Sequence, residues 1–345
     1  MTGTIRYLKI ANYRSIDILE LHDIKPFSVF AGPNGVGKSN FFEALDFVNW
    51  IIRFGADEAL KKHGGFENIR CLKRPELDEF EFEIEIELPQ VDKINKFYLK
   101  MSQLDKEPIL DQGIYYEESK VHRQKISTEV LIFEEKINRF LENIRLYRIE
   151  PIEAKLPVNN LDTSSLHSSG RNLAAILNRL EKNEEIRETI LEWIDLMVPG
   201  LESVQSHTER LSGNTLLAFK EKGIEKLFPA HLISDGTIYL LSLLVAMLDR
   251  PNPLGMTLIE EPERGLHPHA IIELVDSFRE IATLESPIWV TTHNEALIRV
   301  LKNHELWLVD KKQGATHMKA IRQYDASTLP LDQAWLCNVL NGGLP

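Results

Sequence analysis

Gly32-Pro33-Asn34-Gly35-Val36-Gly37-Lys38-Ser39 fits the spacing G-x-x-x-x-G-K-[ST], which builds a cradle for a phosphate chain. Glycines at 32, 35 and 37 let successive backbone N–H groups turn toward one anion, and a helix that starts there adds partial positive charge. Lys38 is expected to reach the β- and γ-phosphates of a nucleotide, and the Ser39 hydroxyl to hold Mg²⁺. Two other stretches carry groups that have work beside such a cradle. Met256-Thr257-Leu258-Ile259 runs into Glu260-Glu261, which puts two carboxylates at the carboxyl end of a buried strand, where ligands of open α/β sheets lie. Glu260 is expected to act on magnesium through water, and Glu261 to polarise the attacking water as general base. Ile288-Trp289-Val290-Thr291-Thr292 delivers His293 to a second strand end, a place from which it can meet a γ-phosphate oxygen and that water. His267 and His269 look like a metal pair, but Pro268 separates them and no further ligand is near in sequence, which favours a structural role.

The elements around these residues follow from periodicity. Phe27 to Ala31 reads as a short buried strand before the loop, and Asn40 to Arg53 as a helix with Phe41, Leu45, Val48 and Ile52 on one stripe. Ile5 to Ile10 and Ile16 to Leu21 read as strands joined by Asn12-Tyr13-Arg14-Ser15. Lys61, Lys62, Arg70, Lys73 and Arg74 form a basic cluster that reads best as a solvated loop. Glu79 to Leu88 alternates carboxylate and apolar residue without a break, the pattern of a half-buried antiparallel strand with a solvated acidic face. Phe97 to Met101, Ile114 to Glu117 and Val130 to Phe133 complete an expected meander over about 78–133. After a strand at Ile144 to Ile149 comes a serine-rich loop, Pro157 to Gly170, expected to be flexible. Arg171 to Glu181 and Glu184 to Met197 read as amphipathic helices, a small helical lobe. Strands at Leu201 to Val204 and Thr215 to Phe219 lead to Ser234-Asp235-Gly236-Thr237 and an apolar helix that reaches Leu248, ended by Pro251 and Pro253. Helix Ala270 to Thr283, strands Leu306 to Val309 and His317 to Ile321, and a closing helix Leu331 to Leu340 finish the chain.

Composition limits the alternatives. The 345 residues are 43% hydrophobic and 27% charged, ordinary values for a globular chain with a sizeable core. Cys71 and Cys337 show no pairing pattern, which argues for a reducing compartment, and the first residues lack the build of a signal peptide. The apolar run around Ile238 to Leu248 is too short for a bilayer, so the expected place is the cytoplasm, with no membrane partner. A net charge of −12 disfavours general nucleic-acid binding, and DNA as a partner lacks support from charge.

The order Gly32 to Ser39, Ser234-Asp235-Gly236-Thr237, Leu258 to Pro268, then Thr292-His293-Asn294 resembles the ABC-type ATPases of the RecF, SMC and overcoming-lysogenization-defect branch over nearly the whole chain. With its Asn-Tyr-Arg-Ser loop and Gly170-Arg171-Asn172-Leu173 helix start, the chain is most similar to stand-alone predicted ATPases encoded in prokaryotic anti-phage defence operons. The resemblance implies an α/β P-loop NTPase of ABC type: a mixed sheet with an antiparallel meander, a short helical lobe and no long coiled coil. Residues 1–150 would form the nucleotide-binding lobe, 151–230 the helical lobe, and 231–345 the rest of the ATPase core. ATP and Mg²⁺ would be the cofactors. Nucleotide contacts would come from Gly32, Asn34, Gly35, Val36, Gly37, Lys38, Ser39, Asn40 and Arg14. Lys38, Glu261 and His293 would be catalytic, and Ser39 and Glu260 would serve the metal. Ser234 and Gly236 correspond to the ABC signature, so they would act in trans on the nucleotide of a second copy, in a homodimer. The implied activity is Mg-dependent ATP hydrolysis that switches a DNA-processing or toxic effector, such as a separately encoded nuclease; the alternative is a RecF-like DNA-binding ATPase of repair. Asp235 stands where transporter signatures have glycine, Glu260 replaces the usual aspartate, and no glutamine can be assigned to the Q-loop.

Overall fold

Five buried residues, Phe27–Ala31, form the strand from which the phosphate loop leaves. The computed structural model describes residues 5–88, 96–105, 107–116, 119–120, 128–249, 254–325 and 329–343. In it this strand is third in a six-stranded sheet ordered Ala315–Ala320, Leu306–Lys312, Phe27–Ala31, Ile288–Thr292, Met256–Glu260 and Ile144–Tyr147. Its two neighbours run parallel to it, and Ala315–Ala320 is antiparallel at the edge. Parallel strands covered on both faces need continuous apolar runs, which is why Phe-Ser-Val-Phe-Ala and Ile-Trp-Val-Thr-Thr do not alternate.

A second six-stranded sheet, antiparallel throughout, is ordered Ile16–Ile24, Ile5–Tyr13, Glu79–Ile86, Lys96–Leu104, Glu107–Tyr116 and Ser119–Lys120. Glu79–Ile86 has the expected period of two, every aromatic and aliphatic side chain being buried. Its glutamates do not face bare solvent, however. Lys9 bonds Glu81 at 2.8 Å, Lys100 bonds Glu79 at 2.7 Å and Lys96 meets Glu83 at 3.3 Å, so cations on both flanking strands neutralise the row. Such cross-strand pairs contribute about 0.2–1 kcal/mol each.

Helix Lys38–Phe54 is wedged against both sheets. Phe41 packs on Phe30 (4.9 Å between ring centroids) and Trp289 (6.0 Å) of one sheet, while Phe47 packs on Phe80 (5.2 Å) and Tyr13 (5.9 Å) of the other. The single stripe expected for this helix is therefore two faces: Phe42, Phe47 and Ile51 are buried as well, and Ile52 lies at the margin. Each aromatic pair adds about 0.5–1.5 kcal/mol beyond the area it buries. The meander is corrected at its end. Val130–Phe133 is part of helix Thr128–Glu142, whose Val130, Phe133, Ile137, Phe140 and Leu141 are buried at helical spacing; read over four residues alone, that stripe imitates a strand.

The chain folds as two compact units, one from the described residues of Met1–Leu146, Asn252–Leu258 and Ala282–Pro345, the other from those of Tyr147–Pro251 and Ile259–Ile281. The chain passes from one to the other at 146/147, and residues 231–345 contribute to both. The two sheets above belong to the first unit, with Tyr147, Ile259 and Glu260 carrying two strands over into the second.

The second unit holds an antiparallel sheet in which Asn214–Glu221 pairs with Leu201–Thr208, Leu227–Pro229 and Val158–Asn159. Helices Leu173–Leu180, Glu184–Met197, Asp235–Leu248 and Pro268–Ile281 accompany it. Asp235–Leu248 is buried from Ile238 to Met247, as an all-round apolar helix must be. Asp249 caps it, and Pro251 and Pro253 lie outside the described residues. The serine-rich segment 157–170, expected to be flexible, is instead pinned. The fully buried Asn172 amide donates to Asp162 O (3.1 Å) and Ser165 O (2.9 Å) and accepts from His167 N (2.8 Å). Asp249, whose carboxylate is wholly enclosed, takes Leu166 N at 2.7 Å and Arg179 at 2.5 Å. Asn172→Ala leaves these backbone groups without their partner and is expected to lower stability by about 2–3 kcal/mol, read as a shift of the denaturation midpoint.

Candidate functional site

Geometry at the start of helix Lys38–Phe54 is that of an anion cradle. Gly35 and Gly37 adopt left-handed backbone (φ +81° and +104°), which turns the loop back on itself. A Cβ on Gly37 would lie 2.0 Å from Thr316 Oγ1, and one on Gly32 would lie 2.2 Å from Val309 O, so both positions admit glycine alone on packing grounds. Gly35 has open space where its side chain would be, and Asn34 and Ser39 are exposed, so the loop's outer rim is accessible. Lys38 is 7% exposed and its ammonium group donates to Gly32 O (2.6 Å) and Pro33 O (2.8 Å). These donors, the helix start and the exposed Ser39 hydroxyl fit a nucleotide triphosphate with its magnesium.

Register then places His293 beside the loop. Ala31 pairs with Thr292 across parallel strands, and Gly32 N donates to Thr292 O at 3.2 Å, so the residue after each strand emerges at the same level. His293 is exposed there, with Asn294 capping the next short helix through Ala296 N.

Behind the cradle lies a hydroxyl cluster that the sequence reading missed. Thr316 Oγ1 donates to Val36 O (2.8 Å) and is 2.7 Å from Ser15 Oγ, which in turn receives Asn40 Nδ2 (2.6 Å). Asn40, expected to touch nucleotide, thus has its amide engaged with Ser15. Arg14, expected near phosphate, forms an ion pair with Glu43 and donates to Asn68 O at 3.1 Å. Its backbone is left-handed (φ 48°), in the turn between the first two strands. A threonine within a short edge strand carries no motif, which is why Thr316 was not legible.

In the second unit, Glu260 closes strand Met256–Glu260 with its side chain 16% exposed. Its two oxygens accept a fork from Arg148, Nε to Oε2 and Nη2 to Oε1, both at 2.9 Å. A bidentate guanidinium is among the strongest partners a carboxylate can have, and the sequence reading overlooked Arg148 in that role. Glu261 follows in left-handed backbone (φ 49°), which costs a non-glycine residue about 1–2 kcal/mol. Arg264 Nη2 approaches its carboxylate at 3.3 Å, and the Tyr239 hydroxyl donates to Glu261 O at 2.8 Å. Burial, with the charge of Glu263 added, pushes the Tyr239 hydroxyl above the ordinary tyrosine range, so it stays a donor. A tyrosine in an otherwise apolar buried helix has to find a polar partner, and that was the available signal.

Ser234 and Gly236 open the helix Asp235–Leu248. Ser234 is exposed and caps it, accepting Thr237 N at 3.1 Å, and Lys155 holds Asp235 at 2.5 Å. Gly236 has a packing reason to be glycine: a Cβ would stand 2.5 Å from Gly265 O. His267 and His269 are exposed, and among the described residues no cluster of three metal-ligating side chains occurs. No helix among those residues is long and apolar enough to cross a membrane.

Residues 27–299 match the family model described as "AAA domain, putative AbiEii toxin, Type IV TA system". Among curated proteins the chain is similar to an uncharacterized protein of Methanocaldococcus jannaschii, 34% identical over 86 residues, 24% of this chain and 26% of that protein. It is also similar to the DNA replication and repair protein RecF of Corynebacterium jeikeium, 39% identical over 59 residues, 16% of this chain and 14% of that protein. The chain thus spans about a quarter or less of these two relatives. Solved structures extend the likeness in fold. An SMC head bound to the C-terminal winged-helix domain of ScpA superposes with a TM-score of 0.61 at 14% identity, over 96% of this chain and 99% of that one. The SMC head domain of Thermotoga maritima gives 0.53 at 15% identity, over 93% and 100%. The head from Pyrococcus furiosus with an extended coiled coil gives 0.57 at 14%, over 98% and 99%.

Thr316→Val keeps the side-chain shape and removes the hydroxyl that holds Val36 O. The bond to Ser15 Oγ goes with it; about 1 kcal/mol for the bond that fixes the loop corresponds to roughly five-fold weaker nucleotide binding, measurable by titration with a fluorescent ATP analogue.

Proposed function

Because the chain belongs to the AAA-domain family of that AbiEii-type model and has the α/β fold of SMC heads, we propose that it binds and hydrolyses ATP with Mg²⁺, and that an ATP-dependent homodimer is the switched state. The observation that carries this is the phosphate loop, with Lys38 drawn into it by the carbonyls of Gly32 and Pro33, at the start of a helix wedged into the core. Lys38 and the loop N–H groups bind the β- and γ-phosphates; Ser39 holds magnesium directly and Glu260 through water. Glu261 takes the proton of the attacking water, and His293 steadies the γ-phosphate. Asn34 and Val36 contribute loop N–H groups, with Arg14 at the margin. Ser234 and Gly236, at an exposed helix start, reach the nucleotide of the second copy.

The SMC head solved with a domain of ScpA supports the idea that such heads work through partner proteins. For this chain the partner is an effector, DNA-processing or toxic, encoded separately, in anti-phage defence. The family description, which names a toxin of a type IV toxin–antitoxin system, supports a defence setting. Net charge of −12 argues that duplex DNA is not gripped by the ATPase itself.

Lys38→Ala is expected to abolish ATP binding, and Glu261→Gln to retain binding while lowering turnover by about a hundred-fold or more and trapping a dimer seen by light scattering. Unchanged affinity in the first, or normal turnover in the second, overturns the assignment of that residue. Mixing Lys38→Ala with Ser234→Arg subunits puts both lesions in one site of the mixed dimer, so ATPase activity should reappear; mixed dimers without recovery refute action in trans.

A further inference from the structure

Glu261 is held in a conformation that its own sequence opposes. Left-handed backbone is unfavourable for any residue with a Cβ, and the residue before a proline, here Pro262, is further restricted to extended conformations. Within the turn, Arg264 N donates to Glu261 O at 3.1 Å, and a further hold comes from outside it.

Helix Asp235–Leu248 supplies that hold at two places. The Tyr239 hydroxyl, on a ring that is 2% exposed, lies 2.8 Å from Glu261 O and 3.2 Å from Glu260 O, so its one proton is shared between the carbonyls on either side of the Glu261 Cα. One turn earlier in the helix, the Cα of Gly236 is 3.8 Å from the position of a Cβ on Gly265, and the Gly265 carbonyl fills the space that a side chain on Gly236 would need. The turn 261–265 is therefore fixed at its start by a hydrogen bond and at its end by backbone packing, both from the same helix.

We infer that Tyr239 is a positioning residue for the general base: by holding the carbonyls of Glu260 and Glu261, its hydroxyl keeps Glu261 in left-handed backbone and so aims the carboxylate. Without the hydroxyl the backbone at 261 relaxes toward the extended form that Pro262 favours, and the side chain swings with it. Substrate binding, which belongs to the phosphate loop, is untouched. The inference rests on the reading of Glu261 as base.

The test uses the full chain with Tyr239→Phe, which removes one oxygen and keeps the ring. Turnover of Mg-ATP is expected to fall about ten-fold or more while affinity for a fluorescent ATP analogue stays within about two-fold. In a Glu261→Gln background the same substitution is expected to change the residual rate less than about two-fold, because there is no carboxylate left to aim. A purely structural role predicts equal losses in both backgrounds, or parallel losses of affinity and melting temperature, and either result overturns the inference. So does normal turnover in Tyr239→Phe alongside an inactive Glu261→Gln, which leaves the base itself standing. Normal turnover in Glu261→Gln removes the base and the inference with it. Tyr239→Leu, which also deletes the ring, serves as the comparison whose stability loss a simple packing defect should show.

Discussion

A nearly buried ammonium group is the constraint on which the site depends. Lys38 is 7% exposed, and the oxygens of Gly32 and Pro33 meet its charge at 2.6 and 2.8 Å. Carbonyl dipoles offer a cation only partial charges, whereas a phosphate oxygen offers a full one. The proposed role of the loop is to cradle a phosphate chain, and the surrounding structure holds the loop in shape. Thr316, Ser15 and Asn40 tie its back, while Val309 O and Thr316 Oγ1 leave no room for side chains at Gly32 and Gly37. The wedge of helix Lys38–Phe54 between two sheets anchors the start of that helix, so the partial charge of its N-terminus stays aimed at one point.

Local rules made much of this legible. The spacing of Gly32, Gly35, Gly37, Lys38 and Ser39 needs no partner in the sequence to be recognised, and buried parallel strands such as Phe27–Ala31 and Ile288–Thr292 announce themselves as apolar runs. Alternation from Glu79 to Ile86 gave a strand for the same reason. What failed was whatever depends on the other end of a contact. Val130 to Phe133 looked extended because the helical stripe that contains it becomes visible only with Ile137 and Phe140. The serine-rich segment looked loose because its order comes from Asn172 and Asp249, one beyond its end and the other about eighty residues away. Thr316 lies 301 residues from Ser15, and Arg148 lies 112 from Glu260. Pairings at such separations leave no periodic trace in a single sequence.

Gly236 illustrates how one residue can answer to two demands. Gly236 sits at an exposed helix start, which suits a backbone donor to phosphate, and its missing side chain admits Gly265 O. Packing alone would select glycine there, so the residue type by itself does not argue for nucleotide contact. Ser234 differs: its cap to Thr237 N could be made equally by Asp, Asn or Thr, and the hydroxyl remains exposed. Of the two, Ser234 is the position where sequence carries more information about binding.

The proposed metal role of Glu260 asks one carboxylate to serve both a guanidinium and a hydrated ion. A carboxylate 16% exposed needs a partner, since burying it unpaired would cost several kcal/mol, and Arg148 provides one with both oxygens in use. Each oxygen has two lone pairs, so the fork takes one site on each and leaves about two of four for water. An ion, met directly or through water, would have to use these remaining sites, because two cations cannot share the same lone pair. An ion bound through water can use the remaining sites while Arg148 stays in place. The longer reach of glutamate compared with the aspartate usual at such strand ends is in keeping with that arrangement, since it lets the carboxylate meet the guanidinium and still present a hydrated edge.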